Sequence, residues 1–237
     1  MADPILDSSP GPRRGRLQRG TLTRALVVSA ALELLDDEGA DGLTFSKLGA
    51  KLGASSTAVY RHFSSRNDIM RAVGDELDRQ ALDGYEPSED WVESLRDLAW
   101  RAWHTAVRHP AAAASALYMI TGGMNELRAV DAVLEAIHRA GWRGRDAVLQ
   151  YQSFANFVLA MSAANAQKIV QLTDQDGLWI QEYRPLDPSM YPYAEAVKGE
   201  LRRLDLDEVF RQQVETLLAE MRRSAPDQSA PEQPAPA

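Results

Sequence analysis

The sequence predicts an all-α fold, with a small N-terminal three-helix helix-turn-helix domain joined to a larger helical domain. Three observations carry that expectation. Apolar residues recur at spacings of three and four across most of the chain between residues 21 and 223, the period of an amphipathic helix. Alternating runs rich in Val, Ile and Thr, the usual strand signal, are missing. Breakers such as Gly39, Gly53, Gly84 with Pro87, and Gly122-Gly123 separate the periodic stretches.

Taken in order, the first helix is expected from Thr21 to about Asp37. Its stripe is Leu22, Ala25, Val28, Ala31, Leu32 and Leu35, and Gly39 stops it. Thr44 is placed to cap a short helix through Leu52, with Gly53 after it. Ser55 or Ser56 caps the next short helix, expected to end at Phe63, and a fourth begins near Ser65 with Ile69, Val73 and Leu77 inward. Gly84 and Pro87 then mark a domain boundary. Longer helices follow at about 88–108, 110–120, 125–140, 144–171 and 205–223, with a shorter one near 192–203. Pro110 suits a first helical turn. Residues 173–191 read as a long loop. Residues 1–20 and 224–237, rich in Pro, Gly, Ser or Ala, read as a disordered arm and a disordered tail.

Composition narrows the chemistry. The 237 residues contain no cysteine, so there is no disulfide framework, thiolate nucleophile or Cys-based zinc site. No apolar run is long enough to span a bilayer, and the arginines near the N-terminus are followed by no long apolar core. A cytoplasmic protein without a secretory signal is therefore expected. The net charge of −8 argues against nucleic acid until the chain is divided. Residues 1–66 hold nine Lys/Arg against seven Asp/Glu, a net of +2, while residues 67–237 hold 17 against 27, a net of −10. Phosphate contact is thus expected in the first quarter alone. Arg13, Arg14, Arg16 and Arg19 either reach DNA from the arm or lie on a solvated tail.

The segment TFSKLGAKLGASSTAVYRHF, residues 44–63, is the most informative. Phe45, Leu48 and Leu52 make the inner face of one helix, and Ala58, Val59 and Phe63 that of the next. The second helix exposes Ser55, Ser56, Thr57, Tyr60, Arg61 and His62. A small polar N-terminus lets such a helix enter a major groove closely. Thr44, Ser46 and Lys47 begin the preceding helix, where free N–H groups attract phosphate, and Arg66 opens the following one.

Residues 21–82 closely resemble the DNA-binding domain of TetR-family regulators. The matching stretches are VVSAALELLDDEGADGLTF, LGAKLGASSTAVYRHF and SSRNDIM, with YRHF followed three residues later by the basic Arg66. The resemblance implies that Ser56, Thr57, Ala58 and Tyr60 face bases or the adjacent sugar-phosphate. It also implies that Thr44, His62 and Arg66 hold the backbone. Thr57 stands where many members carry Gly or Pro. The acidic helical remainder resembles the family's variable ligand-binding and dimerisation domain, placed here at 85–223. RAWHTAVRHP and AIHRAGW look like the branch nearest the tetracycline repressor. A homodimeric repressor released from a palindromic operator by a small, largely apolar effector is the function this implies, without a cofactor.

Other expectations concern the larger domain. The large side chains Trp100, Trp103, Tyr118, Met119, Met124, Tyr151, Phe154, Phe157 and Met161 are either core or the lining of an apolar cavity, and His104 is a candidate polar group there. Ser153, Asn156, Ala160, Ala163 or Ala164, and Gln167 form a small, polar face on helix 144–171. With Leu206, Phe210, Val214, Leu217 and Met221 on the last helix it makes either a four-helix dimer interface or internal packing. His104, His109 and His138 lack metal-ligand spacing, so no metal is expected. No nucleophile-base set or phosphate-cradling loop supports an enzyme. A carrier with a vestigial motif, and a regulator answering to a protein partner, are the competing readings.

Overall fold

The computed structural model describes residues 22–173 and 188–226. The expected arm over 1–20, most of the loop over 173–191 and most of the tail after 224 lie outside the described residues. Among the described residues the chain is helical throughout, as the periodicity predicts.

Four helices open it: α1 (Arg24–Glu38), α2 (Phe45–Lys51), α3 (Ser56–Tyr60) and α4 (Arg66–Ala81). Each starts where a hydroxyl residue accepts a hydrogen bond from an otherwise orphaned N–H. Thr23 accepts from Leu26 N at 3.2 Å, Thr44 from Lys47 N at 3.2 Å, Ser55 from Ala58 N at 3.2 Å and Ser65 from Asp68 N at 3.1 Å. Asp68 answers the last by accepting from the Ser64 N–H at 3.1 Å, a reciprocal pair that fixes where α4 begins. Because Thr23 caps, α1 begins at Arg24 rather than at Thr21. The helix expected to reach Phe63 ends at Tyr60 and closes in a turn, His62 N donating to Val59 O at 2.9 Å.

The remaining elements are α5 (Trp91–Arg108), α6 (Pro110–Ala116), α7 (Met124–Arg139), α8 (Gly144–Thr173), α9 (Pro192–Arg203) and α10 (Leu206–Ser224). Asp90 and Asp205 cap α5 and α10. Pro110 occupies the first turn of α6 as expected. That helix stops at Ala116, four residues early, where Leu117–Met119 turn the chain toward α7.

Two apolar clusters hold the molecule together. One gathers α1 to α4 around Val27, Leu35, Leu48, Val59, Phe63, Ile69 and Leu77, and it continues into Ala106, Ala111–Ala113, Ala116 and Ala166. Gly84 does turn the chain, with φ of 64°. The apolar interior nevertheless runs across it, because α6 packs against α1, α4 and α8. The second cluster joins α5, α7, α8 and α10 around Leu95, Trp103, Ile137, Phe154 and Phe210. There the Trp103 ring stacks on Phe210 with centroids 4.4 Å apart, and its indole N–H donates to Asp207 at 2.7 Å.

Polar pins cross between these groups. Asp75 of α4 caps the start of α7, accepting from Asn125 N at 2.9 Å, Glu126 N at 3.0 Å and Asn125 Nδ2 at 2.8 Å. His109, at the α5–α6 corner, lies 2.8 Å from Asp36 of α1 and 3.0 Å from Gln80 of α4. A carboxylate at a helix N-terminus satisfies free donors and meets the positive end of the helix dipole.

Asp75→Ala is expected to cost about 1–2 kcal/mol of unfolding free energy, the range for a lost helix cap, read from urea denaturation. Gly123→Ala should destabilise as well, because a Cβ there would stand 1.9 Å from Asp75 Oδ1. Combined with Asp75→Ala it should cost less than the sum of the two single variants.

Candidate DNA-reading surface and interior cavity

The helix-turn-helix is built around two glycines with different duties. Gly53 takes a left-handed φ of 60° and reverses the chain. Gly49 instead permits close approach: a Cβ on it would lie 2.9 Å from Ala54 O and 3.0 Å from Ser56 N. Helices α2 and α3 therefore cross with their backbones nearly touching. Leu48 and Val59 are fully buried at the crossing, with Phe63 beside them. Gly49 lies inside a helical period and carries no signal in the sequence that separates it from a surface glycine.

Outward, α3 presents Ser55, Ser56, Thr57, Tyr60 and Arg61, all exposed, with Ala58 half-buried behind them and His62 half-buried at the end. The Tyr60 ring lies flat on Phe45, centroids 3.7 Å apart, and this stack holds the phenol at the rim of the surface. Arg61 forms no ion pair among the described residues, so its charge is available. The hydroxyls of Thr44 and Ser55 already accept cap bonds, which leaves each able to donate outward.

Basic groups expected to meet phosphate are partly engaged. Lys47 pairs with Glu38, and Lys51 pairs with Glu33 at 2.9 Å and Asp37 at 3.4 Å. The Glu33 carboxylate, ahead of Asp37, holds the Lys51 ammonium above its ordinary value. Exposed pairs of this kind are worth little, so a phosphate can displace the acid from Lys47. Arg66 spends one guanidinium arm on the Ala40 carbonyl at 2.8 Å, tying α4 to the turn after α1. Arg24 does similar work: its guanidinium lies 4.0 Å from the Phe63 ring centre and it donates to the His62 carbonyl. As the first residue of α1 it reads in the sequence as a solvated end.

A cavity partly continuous with solvent lies between α4, α5, α7 and α8, with the turn after α6 as one wall. Met119, Tyr151 and Phe154 line it as expected. The other expected lining residues lie elsewhere. Trp103 is core, held by Phe210 and Asp207, and Trp100 packs edge-on against Phe210 and over His104. Met161 packs at the edge of the same cluster. Tyr118 and Met124 are exposed, at 73% and 71%. Tyr118 lies in the turn after α6 between two wall residues, Leu117 and Met119, and Met124 opens α7 two residues before Glu126, offsets that a broad apolar stripe does not reveal.

Small and aliphatic residues make the wall instead: Gly74, Leu98, Ala102, Ala129 and Val158 among them. Two carboxyl groups face the same space, Asp78 from α4 and Glu126 from α7. One oxygen of Glu126 accepts from Thr121 N, Thr121 Oγ1 and Gly122 N at 3.0, 2.7 and 2.7 Å. The Asp78 carboxyl accepts no hydrogen bond among the described residues. Burial, and then the neighbouring charges of Asp75 and Glu126, push it up to about 7. Burial, reinforced by Glu126 and Asp78, raises the Tyr151 phenol too. Acidic residues on helices ordinarily read as a solvated face, which is why neither carboxyl stands out in the sequence.

On the last helix Phe210, Val214 and Met221 are buried within the protomer, with Leu206 and Leu217 packed beside them, so of the two readings of that stripe internal packing is the one the protomer shows. On α8, by contrast, Ser153, Asn156, Ala160, Ala164 and Gln167 form an exposed row, and Ala163 is half-buried. No group of three or more potential metal ligands occurs among the described residues. No helix among them is long and apolar enough to cross a membrane.

Residues 27–73 match the family model for bacterial regulatory proteins of the tetR family, and residues 84–224 match the tetracyclin repressor-like C-terminal domain. The class D tetracycline repressor protein of Escherichia coli is 28% identical over 170 residues, 70% of this chain and 76% of that protein. An HTH-type transcriptional regulator of Saccharopolyspora erythraea is 26% identical over 166 residues, 70% of each chain. A TetR-family transcriptional regulator of Streptomyces coelicolor A3(2) superposes with a TM-score of 0.74 at 25% identity, covering 85% of this chain and 99% of that one.

Gly49→Ala is expected to lower the unfolding free energy by about 1–3 kcal/mol, the usual cost of forcing a methyl into a filled contact, measured by urea denaturation. Asp78 makes a pH-dependent contribution of opposite sign to an ordinary salt-bridged acid. Its folded-state value lies above the usual 3.8, so the folded state binds the proton more tightly and stability falls as pH rises from about 4 to 7. Asp78→Asn should therefore raise the thermal midpoint most at pH 8, with the gain shrinking steadily toward pH 4.

Proposed function

This chain belongs to the tetR family of bacterial regulatory proteins and is a DNA-binding transcriptional regulator, and from that premise we propose a homodimeric repressor released from a palindromic operator by a small effector. Helix α3 would enter the major groove, with Ser56, Thr57, Ala58 and Tyr60 toward the bases. Thr44, Lys47, Ser55, Arg61, His62 and Arg66 would hold the flanking backbone. The two-domain division at about residue 84 is then a division of labour rather than of core. The protein would act in the cytoplasm.

The observation that supports this reading best is the position of α4. Its first turn, capped by Ser65, follows the DNA-reading helix directly, and its later turns supply Gly74, Asp78, Ala81 and Leu82 to the cavity. A ligand that spreads or draws in the cavity walls must displace the element that carries α3. Two such helices must match half-sites about 34–36 Å apart. An effector that binds the mismatched arrangement better shifts the population away from DNA. An apolar cavity at this place also favours a small ligand over a protein partner as the controlling signal.

Dimerisation through the exposed row on α8 fits the same picture. Small side chains let two helices approach closely. The basic patch of one protomer is modest, so useful affinity calls for two engaged together.

Gel shifts with DNA from upstream of the protein's own gene test the proposal. A discrete complex is expected, weakened by about three orders of magnitude or more between 50 and 200 mM salt. Ala160→Glu on α8 should give a folded monomer, by sedimentation, that no longer forms it. A folded dimer with no salt-sensitive complex on that DNA would overturn the reading.

A further inference from the structure

The cavity is apolar in its walls and negative in its charge, and none of the described side chains lining it is cationic. Asp78 and Glu126 approach it from two different helices, and Tyr151 from a third. No described group around the cavity neutralises them. Asp75, one helical turn before Asp78, is itself an acid and is committed to the start of α7. Helix α5 contributes Leu98 and Ala102, and the α6 end contributes Ala116 and Leu117, all without charge. Glu126 has one oxygen bound to the 121–122 turn and the other without a partner among the described residues. Asp78 has neither oxygen partnered among the described residues.

A carboxyl group taken from water into apolar surroundings without a partner is costly, and it recovers that cost by pairing with a cation or by taking a proton. Here the partner must come from outside the chain, because the walls supply none. From this geometry we propose that the cavity takes an amphipathic cation, an aromatic or alicyclic body carrying a single ammonium group, with the ammonium set between Asp78 and Glu126. The apolar body rests against Leu98, Phe154 and Val158, and the Tyr151 ring offers its face to the charge. This names the chemical class of the effector and so rests on the reading of the cavity as an effector site.

The consequence for protons is specific. Asp78 shares its surroundings with Asp75, Glu126 and Tyr151, and among the described residues no basic group lines the cavity to oppose them. A permanently charged cation binds the ionised carboxylate, so binding expels the proton that Asp78 holds near neutrality. Affinity then rises with pH. A neutral ligand of the same shape has no reason to expel it.

The test uses the full-length protein and two probes of nearly equal shape, 1-naphthylmethyl-trimethylammonium and its uncharged carbon isostere 1-neopentylnaphthalene. Binding is measured by calorimetry or equilibrium dialysis at pH 6 and pH 8. The cation is expected to bind at least tenfold more tightly than the isostere at pH 8. Its affinity should fall about tenfold at pH 6, the factor expected when a group titrating near 7 must give up its proton. Asp78→Asn should remove most of the preference for the cation at pH 8 and leave the isostere within about twofold. Leu98→Phe, which fills the apolar wall and keeps both carboxyls, should weaken both probes alike. Equal binding of the two probes, or a preference indifferent to Asp78→Asn, overturns the cationic class and leaves the effector cavity standing. Binding of neither probe by protein that still shifts DNA overturns the cavity as an effector site, and the proposed class with it.

Discussion

Much of this molecule depends on one carboxylate placed at one helix end. Asp75 projects from the middle of α4 into the first turn of α7, where three donors converge on it. The approach is so close that residue 123 has no room for a side chain. Gly74, next along α4, meets Thr121 with the same economy, a Cβ there lying 2.9 Å from Thr121 Cγ2. These two contacts fix α4 against the 116–126 turn, and that turn closes one side of the cavity. The cavity thus exists because α4 is pinned, and α4 is also the element that leads directly out of the DNA-reading helix.

The DNA-reading end shows a different balance. Net positive charge in the first quarter of the sequence suggested an open basic surface. In the folded chain, acids of α1 hold the two lysines of α2, Glu38 with Lys47 and both Glu33 and Asp37 with Lys51. Arg24 and Arg66 brace the ends of the motif through backbone carbonyls. Arg61 remains the cation on α3 with no acid beside it. Under the proposed function, recognition on this surface would be weighted toward hydroxyls and shape, and phosphate would compete with weak intramolecular partners for the lysines.

What the sequence disclosed, and what it withheld, follows from range. Helix existence was legible because periodicity and caps are local: Thr44, Ser55 and Ser65 each act within three residues. The family likeness extended that legibility to the helix-turn-helix. Cavity residues were not legible in the same way. Trp103 and Phe154 share the same apolar character in the sequence, yet one is sealed by Phe210 and Asp207 and the other faces the cavity, a distinction set by partners far along the chain. Asp75 and Asp78 differ even less. They lie three residues apart on one helix, and only the positions of α7 and α8 make one a cap and the other an unpartnered acid. The stripe of the last helix stayed open between two readings for a related reason, since an apolar stripe does not say whether its partner belongs to the same protomer.

The continuity of the first apolar cluster across Gly84 bears on how such a protein can be rearranged. Ala111, Ala112, Ala113 and Ala116 of α6 complete the interior of α1 and α4, and His109 bonds to both of those helices. The segment that reads DNA is therefore not a detachable module ending at residue 84. Grafting it onto another sensor would strip its inner surface of the alanine wedge that fills it. A working chimera would have to carry the corner from His109 to Ala116 along with the first four helices, or receive from the new host a helix of equal slenderness. Any reshaping of the cavity on this scaffold faces the same seam, which leaves α7 and the cavity-facing side of α8 freer to vary than α6.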